Sequence, residues 1–328
     1  MRKKSVSKNI YMREQCLCVH VYSGITSRCI CLMDAYHLAK EYNISNLIII
    51  WQLEKWCNIK YDDVFDEKQF EDINVMVVEY SPFGIDFGEG IKVYMKRKEF
   101  GNVLHCLGQW LHFFGKKIFN SKAEHIIKYF KDNSRYVRYD PPVEIGWEGV
   151  GYTIWQNGCW QRVKGYLEKR INFCAGIYCG LIKGEQTDVY SDAIAFRQDL
   201  CDKAKQIVDN DFVGVHIRRT DHLAAIREST LDIFIERMKE AISHKADTQF
   251  FLATDDKSVE EELRRVFPNR IHTYEDKIWG RESKNGMESA IVDCLCLSRC
   301  EYILGSYQSV FSKFAALYGN KELIVCKK

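Results

Sequence analysis

The sequence has no excess of charge of either sign: 47 Lys and Arg stand against 45 Asp and Glu, a formal net charge of +2 over 328 residues. A chain that neutralises a nucleic-acid backbone carries a broad basic face, so no nucleic-acid partner is expected. An anionic ligand would have to be met by a few placed cations. Nor is there a long apolar run. After the basic and polar residues 1–15, the apolar stretch Cys16 to Tyr22 is short and interrupted by His20. A membrane span needs about 18 or more apolar residues, and a secretory signal needs a longer apolar core than this one. No transmembrane segment is expected, peripheral contact is the remaining route to a membrane, and the expected location is cytoplasmic. Proline is scarce, at 4 residues, and 46% hydrophobic against 28% charged residues is an ordinary globular balance. Disordered, collagen-like and coiled-coil chains are excluded by it.

Cysteine is abundant, at 14 residues, yet no Cys-x-x-Cys occurs; Cys16/Cys18, Cys29/Cys31 and Cys294/Cys296 are each separated by a single residue. Structural zinc takes ligands at the wider spacing, paired again later in the chain. No metal is expected. In a chain of this size without a secretory signal, the cysteines are read as thiols buried like small hydrophobes.

What is present is alternation. Leu17 to Tyr22 reads as a strand, Cys29 to Tyr42 carries helical periodicity, and Leu47 to Trp51 is a short, continuously apolar run. Strand, helix, buried strand is the βαβ signature of a parallel sheet. From about Asp62 to Gly151 no period emerges. A second alternation starts near Tyr178: a helix from Asp188 to Val208, strand Phe212 to Ile217, helix Leu231 to Ile242, strand Gln249 to Ala253, and helix Val259 to Phe267. A short strand near Arg270 to Thr273, a helix from Glu288 to Ser298, strand Tyr302 to Leu304 and a helix from Ser309 to Tyr318 complete it. The expected organisation is an α/β chain of two domains, residues 1–177 and 178–328.

Ligands of open α/β sheets bind beyond the carboxyl ends of the strands. The strand ending His216-Ile217 runs into Arg218-Arg219-Thr220-Asp221. With a period of two, His216 and Arg218 share a face and Arg219 takes the other, where Asp221 is near enough in sequence to hold it. Two Arg and a His at a strand's end suit a phosphate better than a plain solvated turn does. The next strand ends in Thr254-Asp255-Asp256, and Ser258 with Glu261 reads as a capping box that frees at least one Asp for a ligand. After Tyr302 to Leu304 come Ser306 and Ser309 at a helix start, where N–H groups and hydroxyls form an anion site or an ordinary N-cap. Asp293 sits in an amphipathic helix, either partly buried for a reason or on its polar edge.

Together these residues resemble a known family. His216-Ile217-Arg218-Arg219-Thr220-Asp221 is similar to the H-x-R-R-x-D motif of the fucosyltransferases that make α1,2, α1,6 and protein O-linked fucose, the α1,6 and nodulation-type branch above all. Thr254-Asp255-Asp256, then Asp293 to Ser298 and Ser306 to Ser309, resemble that superfamily's second and third motifs in the same order. Trp51, Cys57 and Tyr61 to Phe65 resemble a pattern of its N-terminal domain more weakly. One departure stands out. Family members carry a Gly-Leu-Gly-Asn-Arg-like loop, and this chain has Gly24-Ile25-Thr26-Ser27-Arg28.

The resemblance implies a GT-B-like fold, two Rossmann-like domains facing a cleft, with the C-terminal one holding GDP-fucose and the N-terminal one on the acceptor side. It implies an inverting glycosyltransferase that needs no metal or cofactor and acts on a glycan or lipid-linked oligosaccharide. Arg218 and Ser309, with Ser306, would meet the diphosphate; His216 and Asp293, with Asp255 or Asp256, the guanine side. Arg218, Arg219 and Asp221 would form the catalytic loop. Glu228 is the nearest carboxylate downstream and does not align with the family pattern, so no general base is assigned. The altered first loop leaves a catalytically inactive nucleotide- or sugar-binding module as the alternative.

Overall fold

The structure, a computed structural model, describes residues 17–21, 24–53, 57–80, 124–126, 136–137, 173–175, 193–208, 211–220 and 222–328. In the first part, β1 (Leu17–Val21) leads into α1 (Ile25–Glu41) and β2 (Asn46–Gln52), followed by β3 (Asn74–Tyr80), β4 (Tyr136–Val137) and β5 (Phe173–Ala175). These strands make one five-stranded sheet of order β3-β2-β1-β5-β4, and every pairing in it is parallel. The helix starts a full turn before the periodicity predicted, because Thr26, Ser27 and Arg28 are buried with its apolar residues. β3 falls in the stretch without a visible period. Its Val75 to Val78 is a continuous apolar run that only pairing along β2 identifies as a strand.

The second part follows the alternation more closely. α2 (Gln198–Ile207), β6 (Val213–Ile217), α3 (Leu223–Glu228), α4 (Leu231–His244), β7 (Phe250–Thr254), α5 (Lys257–Val266), β8 (Ile271–His272), α6 (Lys284–Arg299), β9 (Tyr302–Ser306), α7 (Val310–Gly319) and β10 (Glu322–Cys326) build it. The sheet order is β10-β9-β6-β7-β8, again parallel throughout. The chain fills β6, β7 and β8 in one direction and β9 and β10 in the other, so strand order reverses between β6 and β9. A crevice opens at the carboxyl ends where such a reversal occurs.

Three expectations change here, and two elements are added. The helix predicted from Asp188 begins at Gln198 in the described residues, since Phe196 instead bridges to Phe65. α6 extends a turn earlier than expected, where the Ser283 hydroxyl caps it by accepting from Gly286 N at 3.1 Å. α3 and β10 carry too little periodicity to be read. The Ser258–Glu261 capping box does not form: Asp256 is the N-cap of α5 and accepts from Ser258 N at 2.9 Å. A carboxylate placed one residue before the helix outcompetes a hydroxyl inside its first turn.

The two sheets share packing. One apolar cluster runs from β1, β2 and α1 through Phe196 and Leu200 to α6 and α7, with Phe196 against Phe65 at 5.8 Å and Phe314 at 6.2 Å. Polar contacts follow the same seam: Lys284 to Asp63 at 2.7 Å and Arg197 to Glu288 at 3.2 Å. The Trp51, Cys57 and Tyr61 to Phe65 pattern is core architecture. Trp51 donates to Ile59 O at 2.7 Å and meets Tyr61 and Phe65 edge-on, while the buried Arg28 guanidinium lies 4.6 Å over its ring. Cys29, Cys201, Cys294, Cys296, Cys300 and Cys326 are free thiols. Burial pushes the thiols of Cys300 and Cys326 up to about 12.

Candidate functional site

A pocket of 650 Å³ lies at the carboxyl ends of β6 and β7, beside the start of α7, and faces the first turn of α1. β6 ends in two side chains that line it, His216 and Arg218. Arg219 points away and donates to Ile226 O at 3.3 Å. Asp221, expected to pair with Arg219, lies outside the described residues.

Asp255 lines the pocket but faces the loop after β6. Its carboxylate accepts from Arg219 N at 2.7 Å, from Thr220 Oγ1 at 2.7 Å and from Thr220 N at 3.4 Å, and stands 3.3 Å from Arg218 Nε. One side chain from β7 thus fixes the backbone after β6 and the guanidinium that leaves it. Ser306 works from the other flank. Its hydroxyl donates to His216 O at 3.1 Å and accepts from Arg218 N at 3.0 Å, so it clips β9 to β6 below the pocket rather than lining it. Asp256 is occupied as the α5 cap. Ser309 is the α7 N-cap residue, yet its side chain makes no capping bond. It lies instead 3.4 Å from His216 Nδ1, at the helix end whose residues Ser309, Val310 and Phe311 line the pocket.

His216 is 4% exposed and stacks on Phe311 at 4.8 Å. Burial, with the positive charges of Arg218 and Lys277 nearby, pushes its pKa down to about 3. The ring is neutral at physiological pH. Asp293 is 3% exposed on α6 and lines the pocket, which decides between the two readings of its helix position. Its Oδ2 accepts from Lys277 Nζ at 2.5 Å, and its Oδ1 has no hydrogen-bond partner among the described residues. Burial raises the carboxyl's pKa and Lys277 opposes that rise.

The segment from Lys277 to Glu282, after β8, forms another wall. It rides on the first turn of α6, where a Cβ at Gly286 would stand 2.0 Å from Gly280 O. Glycine is required there by close approach. Lys277 and Trp279 were not identified from the sequence; the available signal was only their place after the carboxyl end of a strand too short to show a period. Glu228 does not line the pocket and pairs with Arg227 at 2.7 Å. The Gly24 to Arg28 segment forms the first helical turn of α1, so Thr26 in place of glycine meets no left-handed backbone. No cluster of three His, Cys, Asp or Glu among the described residues is arranged to hold a metal ion.

No protein-family model matches the sequence, and no curated protein matches it either. Solved structures do match along nearly the whole chain. The α1,6-fucosyltransferase NodZ soaked with GDP-fucose superposes with a TM-score of 0.55 at 15% identity, covering 93% of both chains. The Bradyrhizobium NodZ structure gives 0.53 at 12% identity, over 92% of this chain and 91% of the other. POFUT1 in complex with GDP gives 0.50 at 10% identity, over 95% of this chain and 99% of the other. The likeness is one of fold: the chain has the GT-B-like α/β architecture of NodZ and POFUT1, built on two parallel sheets.

Proposed function

We propose that the chain is an inverting, metal-independent glycosyltransferase that moves fucose from GDP-fucose to a glycan or lipid-linked oligosaccharide. One observation carries the reading. A fixed guanidinium, a helix N-terminus and a buried carboxylate oxygen without a partner among the described residues converge on one pocket between the two sheets. Those groups match two parts of a guanosine diphosphate sugar, its diphosphate and its base. Arg218 and the α7 N-terminus with Ser309 would receive the diphosphate, whose charge grows as the sugar–oxygen bond breaks; preorganised donors aimed at developing charge lower that barrier. Asp293 Oδ1 would accept from the N1–H and N2–H groups of guanine, a pair of donors that adenine and uracil lack. Neutral His216 would pack beside the nucleotide without adding charge.

Departure of so stable a leaving group asks little of the acceptor hydroxyl's base, and no side chain is assigned that role. The acceptor would approach from the α1 side, in the part of the chain we assign to residues 1–177, with the donor held by residues 178–328. Among the described residues no helix is long and apolar enough to cross a membrane. We place the reaction in the cytoplasm, with peripheral access to a membrane-borne acceptor. A second reading, an inactive binding module, draws on Ile25, Thr26 and Ser27 lining the pocket where the family carries its Gly- and Asn-containing loop.

Titration calorimetry with GDP, UDP and ADP tests the donor assignment. Leaving a buried carboxylate unpaired costs roughly 1–3 kcal/mol or more, so GDP should bind at least about tenfold tighter than the other two. Asp293→Ala should bring the three affinities together. Equal wild-type affinities would sink the assignment. Consumption of GDP-fucose with acceptor, persisting in excess EDTA, separates the enzyme from the inactive module.

A further inference from the structure

Lys277 belongs to none of the three motifs, yet its ammonium is held on three sides. It donates to Thr254 O at 2.7 Å and to Asp293 Oδ2 at 2.5 Å, and it faces the Trp279 ring at 4.5 Å. An ammonium has three N–H donors and no acceptor. Two oxygens and an aromatic face satisfy it, so this lysine is poorly placed to swing out to a phosphate. Its side chain is 12% exposed, and that of Asp293 is 5% exposed. The pair leaves an asymmetric carboxylate on a residue that lines the pocket: Oδ2 is held by Lys277, and Oδ1 is buried without a partner among the described residues.

We propose that Lys277 is a positioning residue for base recognition: it keeps Asp293 ionised and turns Oδ1 toward the pocket, so guanine selectivity depends on Lys277 although it touches no atom of the base. The inference rests on the reading of Asp293 as the guanine acceptor. Its physical ground is that a carboxyl removed from water takes a proton unless a cation opposes it. A protonated Asp293 could present an O–H toward the N–H groups of guanine, and two donors facing each other do not bond. Lys277 faces Asp293 from the loop after β8 and favours the anion, while Glu260 faces it from α5 and disfavours it. Cys294 and Cys296 flank it on α6, and His216 on β6 feels the same Lys277 charge.

The test compares wild type, Lys277→Gln and Lys277→Arg in GDP and UDP titrations from about pH 8.5 to about pH 6, with thermal melts alongside. Glutamine keeps a donor for Thr254 O and Asp293 while removing the charge. Loss of the cation raises the Asp293 pKa, and affinity that needs the anion falls up to about tenfold per pH unit below it. Lys277→Gln should therefore bind GDP nearly normally at the alkaline end and at least about tenfold more weakly at pH 6, with UDP unchanged. Wild type and Lys277→Arg should keep their guanine preference across the range. A folded Lys277→Gln protein with the wild-type pH profile would overturn the proposal. So would equal losses of GDP and UDP at every pH, which would make Lys277 a phosphate ligand. If the Gln variant does not fold, a folded Arg variant without guanine preference overturns it equally. Wild type without any preference would overturn the donor assignment itself, and this inference with it.

Discussion

Arg218 and Arg219 are adjacent and point in opposite directions, because side chains alternate at the end of β6 just as they do within it. Arg218 is turned into the pocket with Nε 3.3 Å from Asp255, and Arg219 is turned toward α3. Lysine at 218 keeps the charge and loses the planar fork that can grip two phosphate oxygens while leaning on Asp255. Arg218→Lys should lower fucosyl transfer by orders of magnitude and leave the thermal melt near that of wild type. Near-normal turnover would remove Arg218 from the site. The period of two made this division legible in the sequence; the partner that holds Arg218 was not, because Asp255 arrives from the neighbouring strand, 37 residues later.

The ends of the elements carry the chemistry, and two adjacent carboxylates after β7 divide the work there. Asp256 caps α5, whereas Asp255 holds the loop after β6 through Arg219 N and Thr220. Asp256→Ala should cost about 1 kcal/mol of stability, the usual worth of an N-cap, and leave GDP affinity unchanged. Asp255→Ala should instead lower turnover at least about tenfold, since the freed loop no longer presents Arg218. Melting curves and steady-state rates of the two variants should separate in that sense; the reverse pattern would reassign both. From sequence, either Asp could cap the helix, because both stand within reach of its first turn. Which one does so depends on the register of β7 against β6, where Ala253 lies opposite His216. Elements with a strong period were readable, as with α4, and so was the short β8, while β3 and β10 are defined by the strand beside them.

At the scale of the molecule, two buried ionisable groups tie the fold to pH in opposite senses. His216 titrates near its ordinary 6.5 in the unfolded chain and at about 3 in the folded one. The unfolded state therefore binds the proton first, and the contribution of His216 is full above about pH 6.5 and is lost as pH falls toward about 3. His272, also lowered by burial, adds in the same direction. Asp293 works the other way: its raised pKa means the folded chain takes up the proton first, which adds stability as pH falls through the carboxylate range. Urea unfolding should show stability declining between about pH 6.5 and pH 5, where the histidine effect acts first. A His216→Gln variant should be less stable at neutral pH and decline less steeply; an unchanged slope would show that His216 is not the group responsible. The sequence by itself determined the α/β class, four strands of the second sheet and the residues at the carboxyl ends of β6, β7 and β9, because burial period and strand-end position are local properties of the chain. Only the tertiary structure decided that Ser306 clips β9 to β6, that Asp255 holds the loop bearing Arg218, and that Lys277 stands behind Asp293. Each of those contacts joins residues from different elements of the fold, and no local period encodes a pairing between separate segments.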